Sequence, residues 1–76
     1  MKNERTIVKV ANQAMRELCS DWAADRAGLL PDGLWYVRLN LPEGNRYTRV
    51  AWPEQMSEFD ALSVFKAVFD WKLNRD

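Results

Sequence analysis

The chain has 76 residues, enough for one domain whose core lies near the lower limit for independent folding. Its 11 basic and 11 acidic side chains cancel, so bulk electrostatics give no general pull toward nucleic acid or anionic membranes. A single cysteine, Cys19, excludes an internal disulfide, and the lack of histidine removes the usual zinc ligands.

The opening "MKNERTIVKV" has no apolar signal-peptide core, and no apolar run approaches the ~18 residues of a membrane span. A cytoplasmic protein is therefore expected. No loop has the Asp/Asn spacing of a calcium site, and no metal or other cofactor is expected.

The first predicted element is a helix from Glu4 to Ala27. At about 100° per residue, Ile7, Val8, Ala11, Ala14, Met15, Leu18, Cys19 and Trp22 form one apolar stripe. Arg5, Lys9, Asn12, Gln13, Arg16 and Ser20 fall opposite. Asn3 suits the N-cap, Glu4 suits the positive end of the helix dipole, and Gly28 followed by Pro31 supplies a stop. Cys19 reads as a small apolar packing residue rather than a reactive thiol.

Two strands follow, 34–41 and 46–52, joined by a four-residue turn "PEGN". That loop length sets Leu41 opposite Arg46, Leu39 opposite Thr48, Val37 opposite Val50 and Trp35 opposite Trp52. Alternation then gives an inner face of Trp35, Val37, Leu39, Leu41, Thr48, Val50 and Trp52. The outer face carries Tyr36, Arg38, Asn40, Tyr47, Arg49 and Ala51. A slip of one residue would invert these faces.

Pro53 ends the second strand, and "SEFD" from Ser57 resembles a capping box. The second helix, Glu58 to Asn74, is apolar over most of its circumference. Phe59, Ala61, Leu62, Val64, Phe65, Val68, Phe69, Trp71 and Leu73 leave only a strip with Asp60, Ser63, Ala67, Asp70 and Asn74 clearly wet. A helix of this kind calls for burial on more than one side.

These elements predict an α+β domain spanning residues 1–76, a helix–β-hairpin–helix with two helices packed on one face of a small antiparallel sheet. The outline is similar to that of double-stranded-RNA-binding modules. It lacks their third strand and their lysine-rich start of the second helix, which here begins Glu58-Phe59-Asp60, so their function is not carried over.

Catalysis is not expected. Positioned titratable groups, a nucleophile elbow, a phosphate-binding glycine loop and metal-ligand spacing are all missing from the pattern. The surplus aromatics of the second helix and the interleaved Tyr/Arg face fit a binding surface, since such residues anchor protein interfaces. The expected function is a non-catalytic regulator, adaptor or inhibitor, of the size of many phage or plasmid accessory proteins, that binds another protein or itself as a homodimer. Its partner-binding residues are Tyr36, Arg38, Tyr47, Arg49, Phe65, Phe69 and Trp71. The alternative is a nucleic-acid binder using Arg5, Lys9, Arg16, Arg38 and Arg49.

Overall fold

A computed structural model describes the backbone of residues 3–18 and 20–75 and the side chains of 3–18 and 20–72. Cys19, and the side chains of Leu73 and Asn74, lie outside the described residues. The element order is α1 (Glu4–Glu17), β1 (Ala23–Leu29), β2 (Trp35–Leu41), β3 (Gly44–Val50) and α2 (Glu58–Arg75). The sheet is antiparallel throughout, in the order β1-β2-β3, and both helices cover one of its faces.

Asn3 caps α1 as its type predicts, its side-chain oxygen accepting from the Thr6 N–H at 3.0 Å. The helix ends ten residues earlier than its periodicity suggests, at Glu17 rather than Ala27. The Ser20 N–H bonds back to the Met15 carbonyl at 3.0 Å, and the Ser20 hydroxyl accepts from the Trp22 N–H. The chain then reverses into β1, a strand the sequence reading assigned to the helix.

β1 is poor in strand-forming residues, "AADRAGL". It contains a bulge: Ala24 pairs with Leu39 and Arg26 with Arg38, leaving Asp25 as the extra residue. Without that insertion Ala24 and Ala27, three apart, would point to opposite faces. With it both are buried in the core. Their small side chains sit beneath α1, whose polar groups fasten the strand. The Asn12 amide donates to the Ala24 carbonyl and accepts from the Ala24 N–H, both at 2.9 Å. Glu4 accepts from the Ala27 N–H at 3.0 Å and from the Arg26 Nε at 2.7 Å.

Between β2 and β3 the turn is tighter than expected. Leu41 pairs with Gly44 around a Pro42–Glu43 corner, and Gly44 takes φ 140, a conformation that favours glycine. The register is therefore Leu39 opposite Arg46, Val37 opposite Thr48 and Trp35 opposite Val50. It differs by two residues from the predicted pairing, so every side chain keeps its predicted face. Trp52 lies beyond the strand yet remains buried. Its ring meets Phe65 edge-on at 5.8 Å, and its Nε1 donates to the Met56 carbonyl.

α2 starts where Ser57 accepts from the Asp60 N–H at 3.1 Å. It packs along α1 and across the sheet, with Ala61, Phe65 and Phe69 fully buried. α1 lies along one side of α2 and β3 meets it from the sheet, so much of the apolar surface of α2 finds cover inside one chain. Phe59 and Trp71 remain exposed, at 78% and 58%. Ion pairs Lys9–Glu58 and Lys66–Glu17 fix the two helices side by side.

The Asn12 clamp gives a direct test. Asn12→Ala is expected to destabilise the fold by about 1–3 kcal/mol, because it strands a part-buried donor and acceptor together. Asn12→Asp should cost a similar amount, since a carboxylate cannot donate to the Ala24 carbonyl. Urea denaturation midpoints measure both, with Gln13→Ala as a near-neutral control.

Candidate interaction surface

The sheet face away from the helices carries the residues that alternation assigns to it. Tyr36 lies against Gly28 of the neighbouring strand, where a Cβ would collide with its ring. It also meets Tyr47 across the β2–β3 pair, ring centroids 5.9 Å apart and tilted by 56°. Arg38 is held by a fork of two hydrogen bonds to Asp25, Nε to Oδ1 at 2.8 Å and Nη2 to Oδ2 at 2.7 Å. The bulge thus serves the surface as well as the core, since the inserted Asp25 supplies the carboxylate.

Bidentate pairing of this kind is strong and directional. Arg38 holds the Asp25 carboxyl down at about 2 against an ordinary 3.8, with a further hydrogen bond from the Asn40 side chain. Asp25, and secondarily the Tyr47 side chain, pushes the Arg38 guanidinium further up. Arg38 is therefore built into the fold as an organiser of Asp25, Asn40 and Tyr47.

A groove of about 860 Å³ opens beside this face, lined by Leu30, Tyr36, Tyr47, Thr48, Arg49, Val68, Trp71 and Lys72. Tyr47, Thr48 and Arg49 are consecutive in β3. Neighbours in a strand point to opposite faces, so the groove meets both sides of the edge strand β3. Val68, Trp71 and Lys72, spaced three and four apart, form one stripe of α2. Four of the predicted residues, Tyr36, Tyr47, Arg49 and Trp71, thus come together in one place. Leu30, Thr48, Val68 and Lys72 carry no comparable signal in the sequence: Val68 and Lys72 reach the groove through the docking of α2, and Leu30 through the turn between β1 and β2.

The other predicted residues are elsewhere. Phe65 and Phe69 are core residues, each 0% exposed and in mutual contact at 5.8 Å. They offer no surface in this conformation. Arg5, Lys9 and Arg16 lie on the side of α1 that faces away from its buried residues, with Lys9 engaged by Glu58 at 3.5 Å. Arg38 and Arg49 are on the opposite side of the molecule, so the five cations proposed for nucleic acid do not form one surface.

Among the described residues, no cluster of three or more His, Cys, Asp or Glu could hold a metal ion. No described helix is long and apolar enough to cross a membrane. No family model, curated protein or solved structure matches the chain.

The Asp25–Arg38 fork makes acid stability the readout. Since the folded-state value lies below the ordinary one, the contribution is complete above 3.8 and is lost as pH falls through about 2. Asp25→Asn should flatten that part of the acid transition followed by circular dichroism. Arg38→Glu, which sets two carboxylates together, should lower the melting temperature at pH 7, whereas Arg49→Glu should leave it within a degree or so, as ordinary surface changes do.

Proposed function

We propose that the protein is a small non-catalytic interaction module, a regulator, adaptor or inhibitor that works by stoichiometric protein–protein binding. The observation that carries this reading is the edge groove. Three aromatic rings, Tyr36, Tyr47 and Trp71, share it with Arg49 and Lys72. Trp, Tyr and Arg are the residue types that dominate binding energy at protein interfaces. Trp71 and Tyr47 are each 58% exposed, far more than packing alone calls for in large rings. A third exposed aromatic, Phe59, stands outside the groove.

Several features support a different protein as partner over a second copy. Phe65 and Phe69 lie in the core and are not available to a self-complementary seam along α2. The edge strand β3, "GNRYTRV", carries two arginines and no acid, so two copies paired along it would bring like charges together. A cytoplasmic site of action accords with a single cysteine and no internal disulfide to form.

One observation favours the second reading, nucleic-acid binding. The third strand supplies what the outline shared with double-stranded-RNA-binding modules had lacked. The start of α2 departs from them: Glu58 and Asp60 occupy its first turn, and Glu58 is paired with Lys9.

Affinity capture from nuclease-treated lysate of the source cell separates the two. A protein retained at one-to-one stoichiometry, with Trp71→Ala or Tyr47→Ala weakening capture by about thirtyfold or more, is the expected result. Phe59→Ala should change it little. Retention that depends on nucleic acid and collapses as salt rises would overturn the protein reading.

A further inference from the structure

The two edges of the sheet are not equivalent. On β1, Ala24 directs its N–H and carbonyl, and Ala27 its N–H, toward α1, where Asn12 and Glu4 take them. Asp25 bulges from the same strand. That edge is both occupied and distorted, two devices that prevent further pairing.

The same bonds fix the orientation of the whole ladder. Since Ala24 and Ala27 turn away from β2, their partners Leu39 and Val37 make their ladder bonds to β3, with Arg46 and Thr48. By alternation, the backbone groups of Asn45, Tyr47 and Arg49 then point outward from β3. No described side chain takes the backbone of Tyr47 or Arg49 as Asn12 takes that of Ala24. β3 is regularly paired along its seven residues, and its Tyr47, Thr48 and Arg49 line the groove.

We propose that the groove receives an extended acidic segment of a partner protein, which adds to β3 as a fourth, antiparallel strand. This rests on the reading of the protein as an interaction module and names the partner's chemistry. Main-chain hydrogen bonds to Tyr47 and Arg49 would supply the pairing. The occupant is selected by charge: the groove holds two cations, Arg49 and Lys72, and no carboxylate. Neither cation is ion-paired among the described residues, whereas Lys9, Arg26, Arg38 and Lys66 all are. Glu or Asp on one face of the added strand would meet Arg49, and on the other Lys72. An apolar side chain between them would lie against Trp71 and Val68.

The probe is a set of synthetic β-prone nonapeptides followed by amide chemical shifts of the full-length protein. One carries alternating Glu around a central Phe, one has Lys in place of Glu, and one has proline at two adjacent central positions. The acidic peptide should shift the amides of Asn45, Tyr47 and Arg49 and bind at least about tenfold more tightly than the other two, as loss of charge contacts or main-chain pairing implies. Arg49→Glu combined with Lys72→Glu should reverse the preference, with the Lys peptide binding the variant. That reversal also shows the variant to be folded.

Equal binding of the proline peptide would overturn strand addition. Shifts confined to Tyr36 and Asn40 would place the ligand on the sheet face and overturn the edge site. Concentration-dependent self-association through the β3 amides would make a second copy the occupant and overturn the acidic partner. If none of the peptides binds while Trp71-dependent capture of a protein persists, this inference fails and the interaction reading stands. Loss of both sinks both.

Discussion

The architecture depends on the amide of Asn12. β1 has three alanines, a glycine and a charged pair where a good strand would have β-branched or aromatic residues, and it makes one bulged ladder with β2. Its other edge would expose unpaired backbone. Asn12 satisfies a donor and an acceptor of that edge at once, and Glu4, eight residues earlier on α1, satisfies another donor. α1 therefore acts as the strand's outer neighbour through its side chains. That arrangement requires close approach, which explains why the core positions of β1 are the small residues Ala24 and Ala27.

The remaining packing follows from the strand so held. With β1 in place, the sheet is wide enough to seat α1 over β1 and α2 beside it. Phe65 and Phe69 then find a floor and Trp52 finds an edge-on partner. A two-stranded hairpin would leave those rings half uncovered and would itself be marginal. The same clamp determines the sheet's free surface. By closing one edge, it leaves β3 as the edge at which another chain can pair, next to the aromatic and cationic stripe of α2.

Much of this order is legible in the sequence, and the errors have identifiable physical causes. Alternation in "LWYVRLNL" assigned the faces of β2 correctly, and Asn3 and Ser57 marked their helix starts by the hydrogen bonds they make. β1 carries no strand signal because its bulge puts Ala24 and Ala27 on one face at a separation of three, which breaks the alternation of a strand. Alanine, aspartate and arginine so spaced read as more helix. Asn12 was assigned to the wet face for the same reason, since its partner is a strand that periodicity cannot reveal. The hairpin register shifted by two because Pro42–Glu43 forms the corner with Gly44 in the ladder. An even shift left the faces intact. The groove was only half visible: Tyr36, Tyr47, Arg49 and Trp71 carry a compositional signal, whereas Val68 and Lys72 are ordinary helix residues until the docking of α2 is known.

A net charge of zero is a weak guide to what this surface attracts. Among the described residues, Lys9 pairs with Glu58, Arg26 with Glu4, Arg38 with Asp25 and Lys66 with Glu17. Exposed pairs of this kind add little stability; their effect is to hold elements in place and to neutralise their own surroundings. What remains is uneven. Arg49 and Lys72 flank a groove without a carboxylate, and within a Debye length that local excess, rather than the chain's total, sets the potential met by an approaching segment. Balance in the composition is thus compatible with a locally cationic groove, because acids such as Glu4, Glu17, Asp25 and Glu58 are paired with cations elsewhere in the fold.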